Sequence, residues 1–411
     1  MKKIIEKYNN INLIIRIFLG IVFGVAFALA IPKFKFISVF GLLFIGALKS
    51  IAPILVFVLI ISSLANAKVG NNDGRKYKTI VFLYISSMFL SAMVGILASF
   101  MFPVTLKLTG VSNAFAAPEG ISEVLVSILT NIVSNPIKSL SEANYISILF
   151  WSVIIGFTLK NIAKSTTKDF FSDLAAVMTK IVRGIINCAP FGIMGLVFQA
   201  VTESGIYIFV DYAKLLALLV ASLSFVALAV EPFLSFLFTR RNPYPLIYTA
   251  LKDSGITAFF TRSSAANLPV NMEVCEKLGL DKSFYSISLP LGAAINTNGA
   301  AVTISIMSLA TVHTLGIQVD IPTAFILSIL VTLAACGASG VAGGSLLLIP
   351  MACSLFGIGS DISMQVVAIG FIVGVVQDSF ETAINSSSDV IYTATAEYHD
   401  NLISAKDKNI S

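Results

Sequence analysis

Residues 374–392 read GVVQDSFETAINSSSDVIY. The run lies near the end of a very apolar chain, where a membrane helix ordinarily avoids charge, yet it carries Asp378, Glu381, Thr382, Asn385 and Asp389. At about 100° per helical residue, positions 378, 382, 385 and 389 follow an i, i+4, i+7, i+11 series and share one face within roughly ±40°. Glu381 sits on the edge of that face, about 60° from Asp378. A carboxylate in the bilayer core costs at least ~2.5 kcal/mol unless it meets a partner, water or an ion. Two of them on one stripe, with an amide between, read as a site for a cation. A helix end in water would carry the same groups, and Ser386, Ser387 and Ser388 are compatible with that. Apolar sequence before the stretch, and Val390, Ile391 and Ala394 after it, favour the site.

The rest of the composition sets that stripe in a membrane. The chain has 411 residues, of which 56% are hydrophobic and 12% charged, and its mean hydropathy is +0.91. A soluble protein of this size cannot hide so much apolar surface. The net charge of +5 is spread over loops and does not indicate a nucleic-acid partner. Cys188, Cys275, Cys336 and Cys353 show no paired spacing, which predicts neither a disulfide frame nor a metal cluster. The basic N-terminus leads into a long apolar run without a small-residue cleavage pattern, so it reads as a first membrane helix.

A spanning helix needs about 20 mostly apolar residues. Candidates run over 11–31, 37–66, 77–104, a broken segment at 122–162, then 170–202 and 206–239. The fourth is interrupted by Asn135, Pro136 and the polar run 139–144, which predicts several short helices. Lys and Arg gather in alternate loops: Lys2, Lys3 and Lys7; Lys68, Arg75, Lys76 and Lys78; Lys160, Lys164 and Lys168; Arg240 and Arg241. The opposite loops are poorer, Lys33 and Lys35 excepted. The positive-inside rule then places the N-terminus in the cytoplasm.

After Asn242 the pattern alternates. Residues 244–278 are apolar but cut by Thr261, Arg262, Ser263, Ser264, Asn267 and Pro269. Residues 283–312 are broken by the run Asn296, Thr297, Asn298, Gly299. Residues 323–357 are broken by Gly337, Gly340, Gly343, Gly344 and Ser345, and a helix over 362–396 follows. Interrupted hairpin, helix, interrupted hairpin, helix is the pattern of an inverted repeat with broken helices. Non-helical backbone at membrane depth is tolerated only where protein covers it or a cavity adjoins it. Half-helix N-termini near Ser263, Ser264 and Gly343 would offer partial positive charge to an anion. Unwound carbonyls at 296–299 would suit a cation of sodium's size. Glycines that merely allow close helix packing explain one cluster. They do not explain Ser-Ser, Asn-Thr-Asn and Asp…Asn…Asp arriving together.

On these residues the chain resembles the dicarboxylate/amino acid:cation symporter family, which includes the glutamate transporters. The carriers of the likeness are AFFTRSSAANLP at 258–269, LPLGAAINTNG at 289–299, and Asp378, Asn385 and Asp389. Their order and hairpin context agree over about 240–397, and a fainter match extends over most of the chain. The resemblance implies an all-α membrane protein of eight transmembrane helices plus two re-entrant helical hairpins, assembled as a homotrimer and working as an elevator-type carrier. It implies a scaffold mainly in 1–240, with helices 3 and 6 assignable to either body, a transport core in 241–397 and a cytoplasmic tail at 398–411. Ser263 and Ser264 would bind a substrate α-carboxylate, Asp378 would pair with the α-ammonium, and Thr382 and Asn385 would complete the pocket. The second hairpin tip, with Gly340, Val341, Ala342 and Gly343, would be the outer gate. One Na⁺ would sit on Asp389 with backbone oxygens of Gly292, Asn296 and Asn385. Another would use main-chain oxygens near Ala294, Ala335, Cys336 and Ala338.

The departures from that family pattern bear on substrate. Acidic-substrate carriers have an arginine where Glu381 stands and a threonine where Ala300 stands. An acid at 381 repels an acidic substrate, so the expected cargo is small, neutral and hydroxylated, and the motifs look most like the branch that carries serine and threonine with sodium. Asn298 replaces an aspartate that helps hold a further Na⁺ in acidic carriers, which predicts fewer coupled ions. The alternative is a Na⁺- or H⁺-coupled carrier of acidic amino acids or dicarboxylates. The expected setting is a bacterial inner membrane with lipid around the helices and both termini cytoplasmic.

The remaining residues read more simply. Arg262 is expected to act through its main-chain carbonyl, Lys49 to snorkel or form a scaffold ion pair, Trp151 to anchor at the interface, and His313 and His399 to be solvated. An intramembrane hydrolase is disfavoured, because Asp378 and Asp389 lie about 16 Å apart along a helix and cannot flank one bond. A channel does not need two hairpins around a dry site. The chain is expected not to be an enzyme.

Overall fold

The computed structural model describes residues 11, 13–66, 74–108, 130, 132–337 and 343–410, and among them every regular element is helical. Three long helices come first: α1 (Leu13–Ala30), α2 (Phe36–Asn66) and α3 (Gly74–Met101). The broken fourth segment follows as α4 (Pro136–Ser141) and α5 (Tyr145–Ile162). Its breaks have a local cause. The Asn135 side chain accepts the N–H groups of Ile137 and Lys138, and Asn144 accepts that of Ser147, so each asparagine starts its own helix. Pro136 at the first helical position loses no hydrogen bond there.

The expected span 170–202 is instead two helices, α6 (Ser165–Asn187) and α7 (Ala189–Ser204), bent by 52°. Only Ala175, Val182 and Ile186 of α6 are buried, and Lys180 and Arg183 are exposed, so α6 has one thin apolar stripe and a wet remainder. The sixth span, Ile208–Thr239, comprises α8 (Ile208–Phe225), a π-helical turn at Val226–Val230 and α9 (Glu231–Thr239). Six stretches are long and apolar enough to cross a membrane, seven if α6 and α7 count as one. The chain is a multi-pass membrane protein. The difference from the eight expected lies in α1, whose apolar part is the short Ile15–Ala30, and in that bend.

The C-terminal part follows the predicted alternation. The first hairpin has α10 (Tyr244–Ala250), a second π turn at Leu251–Gly255, α11 (Ile256–Thr261) and α12 (Ser264–Lys277). The seventh span breaks between α13 (Lys282–Ile295) and α14 (Asn298–Thr314). The second hairpin has α15 (Ile321–Ala335), a 3-10 turn at Ser345–Leu348 and α16 (Ile349–Ser354). At 1.5 Å per residue its 15-residue first arm rises about 22 Å, short of the ~30 Å hydrocarbon core. The chain ends in α17 (Ser360–Ile410).

Packing divides the helices into two groups. In one, α7 lies against α1 and α2, and α2 also packs on α5 and α6. The approach is close: a Cβ on Gly195 would meet the Gly41 N at 2.5 Å. In the other, α14 packs on both α3 and α17, and the first hairpin packs on α17. Lys49 of α2 is ion-paired with Asp361 at the start of α17, a link between the groups. At the far end of α17, Arg75 lies 4.0 Å from Asp400 and Lys76 lies 3.7 Å from Asp281. Asp281 caps α13 by accepting the Ser283 N–H at 2.9 Å and hydroxyl at 2.8 Å. Those bonds, and then Lys76, hold its carboxyl below the usual aspartate range. His399 and His313 are part-buried, not solvated: His399 packs on Phe238 and hydrogen-bonds its carbonyl at 2.9 Å, and His313 packs edge-on to Phe100. The Trp151 indole donates to the Ser134 carbonyl at 2.8 Å.

Candidate functional site

The tip of the first hairpin is built by two adjacent residues. Arg262 ends α11 in the left-handed conformation, φ 51°. Ser263 is extended and its hydroxyl accepts the Ala266 N–H at 3.3 Å, so it caps α12. With the Ala266 and Asn267 N–H groups taken by Ser263, the start of α12 beside buried Ser264 still presents the positive end of the helix dipole. The two arms are held together and to α17 by side-chain amides. Asn267 donates to the Ser254 carbonyl at 3.2 Å and to the Ser386 hydroxyl at 2.8 Å. Asn271 donates to the Ser386 carbonyl at 3.0 Å. The serine run is therefore interior polar packing; Ser386, Ser387 and Ser388 are all fully buried.

Asp378 joins both hairpins. Its Oδ2 takes the Arg262 Nε at 2.6 Å and its Oδ1 takes the Gly343 N–H at 3.0 Å. Asp378 is only 2% exposed. The Arg262 side chain thus reaches the acidic stripe of α17. Gly343 has φ +71°, a conformation that favours glycine, and a Cβ there would press on the Phe371 ring at 2.9 Å. Gly340, Val341, Ala342 and Ala338 lie outside the described residues.

Glu381 is enclosed by donors. Its Oε2 accepts from the Thr303 hydroxyl at 2.7 Å, the Ser345 hydroxyl at 2.8 Å and the Gln377 amide at 2.5 Å. These partners satisfy a carboxylate that would otherwise be costly at this depth. α14 begins against the same residue: a Cβ on Gly299 would meet the Glu381 Cγ at 2.8 Å and carbonyl oxygen at 2.9 Å. The Gly299 N–H donates to the Asn385 Oδ1 at 2.8 Å. Thr382 is buried on the same stretch.

A second cluster lies at the break of the seventh span. The Asn296 amide donates to the Asp389 Oδ1 at 2.8 Å and to the Ser388 hydroxyl at 2.7 Å. The Ser388 hydroxyl also donates to the Asn385 carbonyl at 2.9 Å. The Asn296 Oδ1 and Asp389 Oδ2 are buried without a hydrogen-bond partner. Gly292 is in direct approach, since a Cβ there would meet the Tyr84 hydroxyl at 2.6 Å and overlap the Asp389 carboxylate. Two unpartnered oxygens with a full charge between them suit a hard cation, which prefers oxygen donors. Among the described residues no group of three His, Cys, Asp or Glu side chains stands ready for a transition metal. Of the other expected ion ligands, Ala335 is buried and its carbonyl accepts the Thr297 hydroxyl at 2.6 Å. Cys336 is half-buried, and Ala294 is exposed on a cavity of about 450 Å³ that Ser62 and Ser172 also line.

The sequence profile of the sodium:dicarboxylate symporter family matches residues 12–398. The chain belongs to the sodium:dicarboxylate symporter family. Within this family of symporters it is 53% identical over 399 residues to the serine/threonine transporter SstT of Bifidobacterium adolescentis, covering 97% of this chain and 92% of that one. It is 53% identical over 398 residues to the protein of the same name from Streptococcus agalactiae, covering 97% and 98%. A Streptococcus thermophilus counterpart is 51% identical over 398 residues. These relatives are transporters, not enzymes.

Sequence reasoning singled out Arg262 without its partner Asp378, and missed Thr303, Gln377 and Ser345. Gln377 had a signal, being one helical turn before Glu381. Thr303 and Ser345 are 78 and 36 residues from Glu381 and left none.

Proposed function

We propose that this symporter imports L-serine and L-threonine with Na⁺. The observation that carries the reading is the Asp378 carboxylate, tied to the Arg262 side chain of one hairpin and the Gly343 N–H of the other, with Glu381 one turn further along. The substrate's ammonium adds to or displaces the Arg262 guanidinium at Asp378. Its carboxylate takes the N–H groups and hydroxyls at Ser263 and Ser264. Thr382 and Asn385 line the pocket, and Gly343 with Gly340, Val341 and Ala342 closes it. Glu381 bars a second carboxylate and leaves room for a hydroxyl. Asp389 and Asn296, with carbonyls of Gly292 and Asn385, hold one Na⁺, and Ala294, Ala335, Cys336 and Ala338 contribute to another.

The moving body of an elevator would comprise 241–397 together with the third and sixth spans; the packing of α14 on α3 supports that grouping. The remainder of 1–240 would be the scaffold of a homotrimer in a bacterial inner membrane, with eight spans and both termini in the cytoplasm.

The test is uptake of radiolabelled L-serine into proteoliposomes with and without an inward Na⁺ gradient. Accumulation that needs Na⁺, and is competed by threonine but not by aspartate, is expected. Competition by aspartate would remove Glu381 as the selectivity element. Accumulation without Na⁺ would replace sodium coupling by proton coupling.

A further inference from the structure

The hydrogen bonds to Glu381 are one-sided. Among the described residues every donor that reaches its carboxyl goes to Oε2: the Thr303 hydroxyl at 2.7 Å, the Ser345 hydroxyl at 2.8 Å and the Gln377 amide at 2.5 Å. The Gln377 amide nitrogen also donates to the Thr303 hydroxyl oxygen at 2.7 Å. That bond uses Thr303 as an acceptor and turns its hydrogen toward Glu381, so the groups form one directed set. Oε1 takes none of them.

The side chain has little freedom to change this. The start of α14 blocks one side of its stem, where a Cβ on Gly299 would meet the Glu381 Cγ at 2.8 Å. The three donors stand on three elements: Gln377 one turn earlier on α17, Thr303 on α14, and Ser345 in the 3-10 turn of the second hairpin. All three are buried. Three donors exhaust the lone pairs of a single carboxyl oxygen. A ligand group that meets Glu381 therefore meets Oε1.

We propose that Ser345, Thr303 and Gln377 are positioning residues that make Glu381 a reader of the substrate's hydroxyl: they fill Oε2 and leave Oε1 for the hydroxyl of serine or threonine. The inference rests on the serine and threonine reading of this site and deepens it, because it sets alanine apart from serine. A hydroxyl both donates and accepts, so it satisfies Oε1 whether or not the carboxyl carries a proton. Alanine offers the same ammonium and carboxylate but leaves Oε1 enclosed without a partner, and a site built to bond a hydroxyl rejects the analogue that lacks it. Ser345 adds a condition. It belongs to the hairpin whose Gly343 N–H holds the Asp378 Oδ1 at 3.0 Å, so the reader is complete only with that hairpin against α17.

The test measures how unlabelled serine and alanine each inhibit uptake of tracer L-serine, in proteoliposomes of the full chain under an inward Na⁺ gradient. The proteins are the parent, Ser345→Ala, Thr303→Val and Thr303→Ser. In Ser345→Ala and Thr303→Val the serine concentration for half-inhibition is expected to rise about tenfold while that for alanine stays put. Thr303→Ser, which keeps the hydroxyl, is expected to restore the preference for serine. Serine and alanine constants that rise by the same factor overturn the proposal, since a merely loosened pocket does that. An unchanged preference in Ser345→Ala and Thr303→Val overturns it too, as does a parent that takes alanine as readily as serine. If Ser345→Ala does not fold, the Thr303 pair decides: a preference lost with valine and regained with serine supports the proposal, and equal preferences overturn it. A parent that accumulates serine with Na⁺ and whose variants keep its preference sinks this inference alone. A parent that does not accumulate serine sinks the transport reading with it.

Discussion

Asp378 holds two partners before any substrate is present, so its removal has two effects. Asp378→Asn is expected to abolish serine binding, and it strands the Arg262 guanidinium in a part-buried pocket. Breaking one side of a buried ion pair typically costs ~3–5 kcal/mol, so the variant should also unfold at lower temperature in detergent; parental serine affinity would dismiss the assignment. Asp389→Asn is expected to raise the Na⁺ concentration needed for half-maximal serine uptake, and a titration that overlays the parent would remove Asp389 from the ion site. At this scale the sequence revealed the acidic stripe, because helical spacing aligns 378, 382, 385 and 389. It did not reveal what each acid touches. Arg262 and Asp378 are 116 residues apart, and a left-handed arginine at a hairpin tip leaves no periodic trace.

The helices owe their breaks to local chemistry, and local chemistry can be altered one residue at a time. Gly299→Ala would drive a methyl into the Glu381 stem at the start of α14; overpacking of this kind costs ~1–3 kcal/mol. A lowered thermal midpoint together with weakened serine binding is the expected readout. At the start of α13, Asp281→Ala removes a cap worth ~1 kcal/mol. The Asp281 carboxyl is held below its usual range in the fold, so its contribution is present above about pH 4 and fades as the pH falls through the lowered value. Thermal midpoints taken downward from neutral pH should therefore fall in the parent, and fall less in Asp281→Asn. Breaks marked by Asn, Pro and Gly were legible in the sequence. The π turns at Val226–Val230 and Leu251–Gly255 were not, because their residues fit an α-helix equally well. The bend between α6 and α7 was obscured by an apolar average that hides Lys180 and Arg183.

For the molecule as a whole, Lys49 and Asp361 mark where the two packed groups meet. Their side chains are 41% and 90% exposed, and an exposed pair is worth ~1 kcal/mol or less, so the link is weak enough to break during a sliding motion. Cysteines at both positions, joined by a short thiol-reactive cross-linker, are expected to stop serine uptake until the linker is cleaved. Uptake that continues through the linkage would mean that the two groups do not slide past each other. The alternation of hairpins and spans was readable from interrupted hydropathy, whereas the grouping of α3 with α14 was not, since no local pattern records which distant helix a face will meet. One further property follows from α17. Its 51 residues form an uninterrupted rod of about 76 Å, more than twice the hydrocarbon thickness, and the substrate and ion residues lie along its middle. A rod of that length is a pointer: a small angular change at Asp378 becomes a large sweep at Asp400, so a fluorophore or spin label near its outer end would report the pocket's movement from outside the membrane, without touching a single residue that binds cargo.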